Sequence, residues 1–471
     1  MKSVKKKHIT IIAGILIIAV AALAAILLWL YPVNKIKDMR HLTQDDYNSI
    51  FVSMYPIEHF SQESFQSYRG LDTYIASHNA RSIKELTDYI HKALQSGNTV
   101  STIYIGLDPY MLYSDAIQSD VDMAAEMSGL FDCIISNPGV TFEILLPALP
   151  MSEWTAMSAE ETKDVLTSYY YAIACMEPHS NALCFFFGDE EWLIRNQSNY
   201  TASSTFNKLI SDKILCSAFC DRAGQTNLSN AEAKFTALYD MIITEQTNPS
   251  IYPDWSDKTI VFFGDSILGL QYGSYSVPGV INSLTGADVY NYAIGGTTAC
   301  DADPSGNADH SFTDRLDTFL NKNEMLTGDG TQFPYNDYAS DSSKLIFVIN
   351  YGYNDYKQQQ GVTLFTETLG EEISLLQEAY PEAAILVMVP YECVYSFGGV
   401  ASTNDAGESL SDYAQAVKET STGKNTLILD IPSLLAEEVN EMNFKEYFND
   451  ECHYSEYGRF YLAEQIIGAL E

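Results

Sequence analysis

Basic side chains are scarce. The 471-residue chain carries 26 Lys and Arg against 62 Asp and Glu, a formal net charge of −36. Seven of the 26 fall in residues 1–40 beside one acid, Asp38, so residues 41–471 keep 19 basic against 61 acidic side chains. So acidic a body repels phosphate backbones and anionic lipid head groups, which argues against nucleic-acid partners and is otherwise what a solvated surface requires. Cysteine patterning is missing as well. The eight cysteines, at 133, 175, 184, 216, 220, 300, 393 and 452, form no CxxC pair and no Cys/His metal spacing, so no metal is expected. Small buried side chains account for most of them, and no disulfide pairing follows from their positions.

Uncharged apolar length is concentrated at one place. Ile9 to Tyr31 runs 23 residues without a charge and follows Lys5-Lys6-Lys7. That pattern predicts a cytoplasmic tail over 1–8, a transmembrane anchor over 9–31 and an extracellular remainder, a single-pass cell-membrane protein. A cleaved signal peptide is the competing reading. The length of the run, and the apolar Ile26–Leu30 after Ala24-Ala25, weigh against it.

Length suggests two or three domains. A polar connector over 32–45 and a Pro/Asn/Asp-rich break over 248–255 leave two outer segments, 46–247 and 256–471. In the second, the apolar runs Thr259–Phe263, Val289–Ala293, Leu345–Asn350, Ala384–Val389 and Leu427–Ile431 read as strands. Leu364–Tyr380 and Ser455–Leu470 carry helical periodicity between and after them. The alternation predicts an α/β fold, a parallel sheet covered by helices, with chemistry at the strands' carboxyl ends. The first segment keeps a similar rhythm. Its strand-plus-loop units at 101–115, 140–154 and 182–193 are spaced like those at 344–358, 383–397 and 425–435, and Pro147 recurs as Pro390. We read this as an internal duplication; any two α/β domains sharing such a rhythm is the plainer alternative.

The strand Thr259–Phe263 ends in Gly264-Asp265-Ser266. A serine hydroxyl is a weak nucleophile without a base, and a strand-to-helix turn both exposes it and supplies free backbone N–H groups. Only two histidines, His310 and His453, lie in the second segment. His453 follows Asp450 by three residues in "NDECHYSEYG". That spacing lets a carboxylate hold one imidazole nitrogen while the other faces the serine. An oxyanion also needs donors. Gly296 in "NYAIGGTTA" offers a backbone N–H, Asn354 in "NYGYNDY" a side-chain amide, and Ser266 its own N–H. Tight turns after strands are the bland account of the last two motifs.

The order GDS, N…GG, GxND and DxxH resembles the SGNH (GDSL-type) hydrolases over residues 256–471. The resemblance implies Ser266 as nucleophile, His453 and Asp450 as its partners, and Ser266, Gly296 and Asn354 as the oxyanion hole. It implies two flavodoxin-like three-layer α/β/α domains with parallel sheets, the first a degenerate copy, and ester hydrolysis or acyl transfer without metal or cofactor. Tyr353 and Gly295 depart from the usual "GTND" and "SG" and bear on the shape of the pocket. In the first segment Tyr55 falls near the nucleophile position, and Ala202 and Thr205 stand where Asp and His belong. The expected substrate is an O-acyl, above all O-acetyl, group on an envelope or extracellular glycan. Tyr353, Tyr356, Tyr391 and His310 are candidates for substrate contact, although the 32 tyrosines are abundant throughout. The alternatives are an O-acyltransferase using the same residues and a non-catalytic envelope-binding scaffold.

Overall fold

The computed structural model describes residues 35–471 except 114–116, 203–204, 301–310, 323–326, 328–340 and 397–402. The chain divides into two compact units. One holds the residues up to Asp189 together with Asn199–Asn248; the other holds Glu190–Ser198 together with Pro249–Glu471. The short segment Glu190–Ser198 belongs with the second unit through Arg195 Nη1, which donates to Ser250 Oγ at 2.9 Å, and through the Ser198 N–H, which donates to Ser283 Oγ at 3.3 Å.

The first unit is built on the strands β1 (Ser49–Ser53), β2 (Thr73–Ile75), β3 (Thr102–Gly106), β4 (Thr141–Leu145) and β5 (Ala182–Phe185). A two-stranded ribbon, β6 (Tyr200–Ala202) and β7 (Thr205–Phe206), follows, then β8 (Gln225–Thr226). The sheet order is β2-β1-β3-β4-β5-β8, parallel except for β8, which runs antiparallel to β5. The expected all-parallel sheet is therefore extended by one short antiparallel edge.

The second unit is built on β9 (Thr259–Gly264), β10 (Asp288–Asn291), β11 (Leu345–Asn350), β12 (Ala384–Met388) and β13 (Thr426–Leu429), in the order β10-β9-β11-β12-β13. All four pairings are parallel. Counted within its own unit, each sheet's first five strands run 2-1-3-4-5, the doubly wound, flavodoxin-like order. The central strands β9 and β11 are buried along their whole length, which is why they read as unbroken apolar runs rather than alternating ones. Alternation survives in what each side chain meets. Val261, Phe263, Phe347, Ile385 and Val387 face one cluster that also takes in Phe312, Phe319, Phe365, Leu369 and Tyr413 from the helices Phe312–Leu320, Val362–Ala379 and Leu410–Thr420. A separate pair of helices, Val277–Thr285 and Glu456–Leu470, packs together. Phe263 is the hub of the aromatic part of that cluster, with ring centroids 5.8 Å from Tyr292, 5.6 Å from Phe312 and 5.4 Å from Phe319.

After its fifth parallel strand each unit makes the same short bridge-and-helix motif, which closes the second unit but is followed in the first by β8 and the helix Leu228–Thr247. Tyr200 bridges Phe206 in the first and Phe448 bridges Tyr454 in the second, both antiparallel. A helix follows at once, Lys208–Phe219 capped by Asn207 in the first unit and Glu456–Leu470 capped by Ser455 in the second. The cap N–H reaches back eight residues in each case, from Asn207 to the Asn199 carbonyl at 2.8 Å and from Ser455 to the Tyr447 carbonyl at 2.9 Å. The shared strand order and the shared bridge-and-helix motif support the duplicated architecture.

One expectation is corrected. The anchor over Ile9–Tyr31 lies outside the described residues, and among the described residues no helix is long and apolar enough to cross a membrane. The fold described is that of the two α/β units. It carries neither the transmembrane helix nor the single-pass membrane location read from the sequence.

Removing the hub of the aromatic cluster should be costly. Phe263→Ala is expected to lower unfolding free energy by about 3–5 kcal/mol in urea titration. Leu375→Ala, on an exposed helix face, should change it by less than about 1 kcal/mol.

Candidate active site

The site forms where β9 and β11 end side by side, Asn350 paired with Gly264. Asp265 then leaves the sheet and caps the four-residue helix Ser266–Gly269, its Oδ1 accepting from the Ile267 N–H at 2.9 Å. That cap turns Ser266 out at the first helical position, where a backbone N–H has no partner inside the helix. Gly264 is required by crowding: a Cβ there would lie 2.9 Å from the Asn350 carbonyl oxygen.

His453 arrives from the turn before the closing helix. Its Nε2 lies 2.9 Å from Ser266 Oγ, across 187 residues of sequence. Its Nδ1 lies 2.6 Å from Asp450 Oδ2. Asp450 is itself fixed, because its Oδ1 accepts from the N–H groups of Cys452 at 3.0 Å and His453 at 2.8 Å. Burial alone would push the Asp450 carboxyl up. The two backbone donors and the imidazole outweigh it and hold the group below the ordinary carboxylate range. Asp450 is thus anionic at neutral pH, suited to orient a ring nitrogen and to stabilise an imidazolium.

The loop after β10 closes over the end of β9. The Ile294 N–H and the Thr297 hydroxyl both donate to the Gly264 carbonyl, at 3.0 and 3.1 Å. Gly295 packs beside Ser266, where an added Cβ would sit 3.6 Å from the serine Cβ. Gly296 is exposed and has φ +83°, a left-handed conformation with open space on its side-chain side. Asn354 opens the face of the helix Tyr353–Lys357 after β11; its Nδ2 donates to the Thr297 carbonyl at 2.9 Å, which leaves its second amide hydrogen for another acceptor.

The substrate-contact candidates fare differently. Tyr353 and Tyr356 are 5% and 2% exposed, so neither presents a ring face to solvent. Tyr356 packs edge-on against Tyr413 with centroids 6.0 Å apart. Tyr391 is half-buried and lies against Phe448, centroids 5.5 Å apart. His310 lies outside the described residues. In the first unit, strand register places Tyr55 at the Asp265 position, with its hydroxyl donating to the Leu145 carbonyl at 2.9 Å. The equivalent sheet edge is therefore filled by a phenol.

Two buried acids were not singled out from the sequence, although both sit inside its motifs. Asp265 is 1% exposed and Asp355 0%. Burial pushes Asp265 up to about 7, against the pull of the Ile267 N–H and with a further push from Asp355. Burial likewise raises Asp355, opposed by the N–H groups of Ala299 and Cys300. For a metal, the donor atoms of Asp450, Cys452 and His453 lie within 4.8 Å of one another. Both imidazole nitrogens are already engaged there, and burial pushes the Cys452 thiol up to about 12, so the set suits a hydrogen-bonded chain better than an ion.

No protein-family model and no curated protein sequence matches the chain. Solved structures do, and the chain is similar to GDSL and SGNH hydrolases among them. An acetyl xylan esterase is 15% identical, aligned over 45% of this chain and 100% of its own, with a TM-score of 0.32. A protein of Parabacteroides merdae, provisionally named a GDSL-like lipase, is 16% identical over 47% of this chain and 99% of its own, TM-score 0.32. A provisionally named arylesterase of Agrobacterium tumefaciens is 17% identical over 45% and 97%, TM-score 0.33.

The Asp265 carboxyl gives a pH signature. Its native value, about 7, lies above the ordinary 3.8. Its contribution to stability is therefore intact below about pH 4 and is lost as pH rises toward 7, because the unfolded chain ionises first. Asp265→Asn cannot ionise. Its stability relative to the parent should rise between pH 4 and 7 by at most about 4 kcal/mol and then level off, as read from urea titrations across that range.

Proposed function

We propose that this chain is a serine esterase of the SGNH type, with Ser266 as nucleophile, His453 as its base and Asp450 as the group that orients and charges-balances the imidazole. The observation that carries the reading is the unbroken hydrogen-bond chain from Asp450 Oδ2 through both nitrogens of His453 to Ser266 Oγ. His453 takes the hydroxyl proton as Oγ attacks an ester carbonyl. The carbonyl oxygen becomes an oxyanion, received by the N–H groups of Ser266 and Gly296 and by the free hydrogen of the Asn354 amide; one such donor is typically worth about 3–4 kcal/mol of barrier. As the tetrahedral adduct collapses, His453 returns its proton to the departing alkoxide, leaving an acyl-serine. Water, deprotonated by the same imidazole, then releases the acid and regenerates Ser266.

The finer reading is an O-acyl, in particular O-acetyl, ester carried on a glycan. It is supported by the exposure of the loop at Gly295 and Gly296 beside Ser266, which leaves room for a bulky alcohol. The half-buried Tyr391 and the exposed Tyr395, both after β12, supply aromatic surface of the kind sugars stack on. The buried Tyr353 and Tyr356 drop out of that role.

Ser266→Ala is expected to reduce hydrolysis of a chromogenic short-chain ester at least about a thousandfold and to abolish labelling by a fluorophosphonate. Asp450→Asn should lower kcat by about 10²- to 10⁴-fold at neutral pH while the fold melts normally. Parent-like turnover in Ser266→Ala would refute the assignment. Product analysis with an acetylated oligosaccharide and an added sugar acceptor separates release to water from transfer to a hydroxyl.

A further inference from the structure

We propose that Asp355 and Gln358 are positioning residues for the oxyanion donors, holding the Gly296 loop and the Asn354 amide in one fixed arrangement. The inference rests on the esterase reading above and concerns residues that touch no reacting atom. Asp355 sits in the helix Tyr353–Lys357 and is completely buried. Its Oδ1 accepts from the Ala299 N–H at 3.0 Å and the Cys300 N–H at 3.3 Å, and its Oδ2 accepts from the Ala299 N–H at 3.1 Å and the Gly352 N–H at 3.1 Å. One carboxylate thus gathers the loop that follows β10 and the turn that follows β11. Gln358, immediately after the same helix, donates from Nε2 to the Gly296 carbonyl at 3.1 Å. With Asn354 bonded to the Thr297 carbonyl at 2.9 Å, three side chains within five residues grip 296–300.

The choice of a carboxylate has a physical reason. Two oxygens accept from three backbone donors at once, whereas an amide offers one oxygen and would turn an NH₂ group toward N–H donors. It is also a costly choice, since among the described residues no basic side chain pairs with this completely buried carboxyl. The first unit shows what the same architecture does without the triad. The register that pairs Thr102 with Ser49 and Leu345 with Thr259 puts Leu112 at the Asp355 position and Tyr55 at the Asp265 position. The first unit buries other acids, Glu143 and Asp38, but none at these two positions.

The test uses the full chain with Asp355→Asn, nearly isosteric, and Gln358→Ala, at a surface position. Steady-state hydrolysis of a short-chain chromogenic ester is normalised to the fraction of protein that a fluorophosphonate labels. Because the donors are displaced rather than deleted, kcat per labelled site should fall about 10- to 100-fold for Asp355→Asn and about 3- to 10-fold for Gln358→Ala, with KM within about threefold of the parent. Hydrogen exchange should quicken in 294–300 and 351–356 and stay unchanged in β9 and β11. Parent-like kcat together with parent-like exchange overturns the inference, as does a rise in KM at constant kcat, which would make these residues substrate contacts. Should Asp355→Asn not fold, Gln358→Ala decides by the same criteria. If the parent hydrolyses no ester, the esterase reading fails, and exchange at 294–300 alone decides whether the tether exists.

Discussion

A single hydrogen bond, 2.9 Å between His453 Nε2 and Ser266 Oγ, is the contact on which every chemical statement about this chain depends. Neither residue can find the other locally, and each is delivered by a different part of the second unit. Ser266 stands at the end of a fully buried central strand. His453 hangs from a tight turn whose Asn449 N–H donates back to the His453 carbonyl at 2.8 Å. What keeps the two in register is the packing of the closing helix on Val277–Thr285, reinforced by Arg459. This buried guanidinium donates to the Tyr275 carbonyl at 2.9 Å and the Tyr454 carbonyl at 2.6 Å. It thus ties the residue after the histidine to the segment that follows the serine helix. A hydroxyl–imidazole contact tolerates errors of only a few tenths of an ångström, so this rigidity belongs to the chemistry as much as to the fold.

The same precision explains why the unit carries groups that oppose its own stability. Asp265 shapes the turn that presents Ser266, and Asp355 gathers three backbone N–H groups around the site, yet both lie out of water and Asp355 disfavours the charge of Asp265. Asp450 is treated differently. It stays half-exposed, takes two backbone donors and a ring nitrogen, and remains charged. Three carboxyls near one another thus sit in three environments, and the one beside the imidazole is the one held ionised.

The sheet of the second unit was legible because buried parallel strands are written as continuous apolar runs. Leu345–Asn350 was read with both ends right. The edges were harder. The strand expected over Val289–Ala293 begins earlier and stops at Asn291, whose side chain accepts from the Ala293 N–H and donates to the Leu268 carbonyl, bending the chain away from the sheet. The strand expected to reach Ile431 stops at Leu429, because Asp430 caps a helix with Pro432 in its first turn. The motif order brings forward Ser266, Gly296, Asn354, Asp450 and His453 together, since each stands in a short motif just after a strand or just before a helix. Asp355 stands in the same motif, where a turn pair after a strand accounts for it, because two of its three backbone N–H partners lie 55 and 56 residues away and such contacts leave no spacing signal. Tyr353 and Tyr356 were misjudged for a related reason: a loop's aromatic content does not reveal which rings turn inward.

The first unit gives the argument its internal contrast. It repeats the strand order, the antiparallel bridge followed by a capped helix, and even the eight-residue reach of the cap N–H. What it does not repeat is the chemistry. Ala202 and Thr205 stand at the two places that become Asp450 and His453 when the bridges are superposed in sequence, Tyr55 replaces a buried acid, and Leu112 replaces the other. The backbone pattern is therefore sufficient for folding without any of these groups. Burying Asp265 and Asp355 is thus not a requirement of the backbone pattern, and the two acids go with the unit whose sheet edge holds Ser266 and His453.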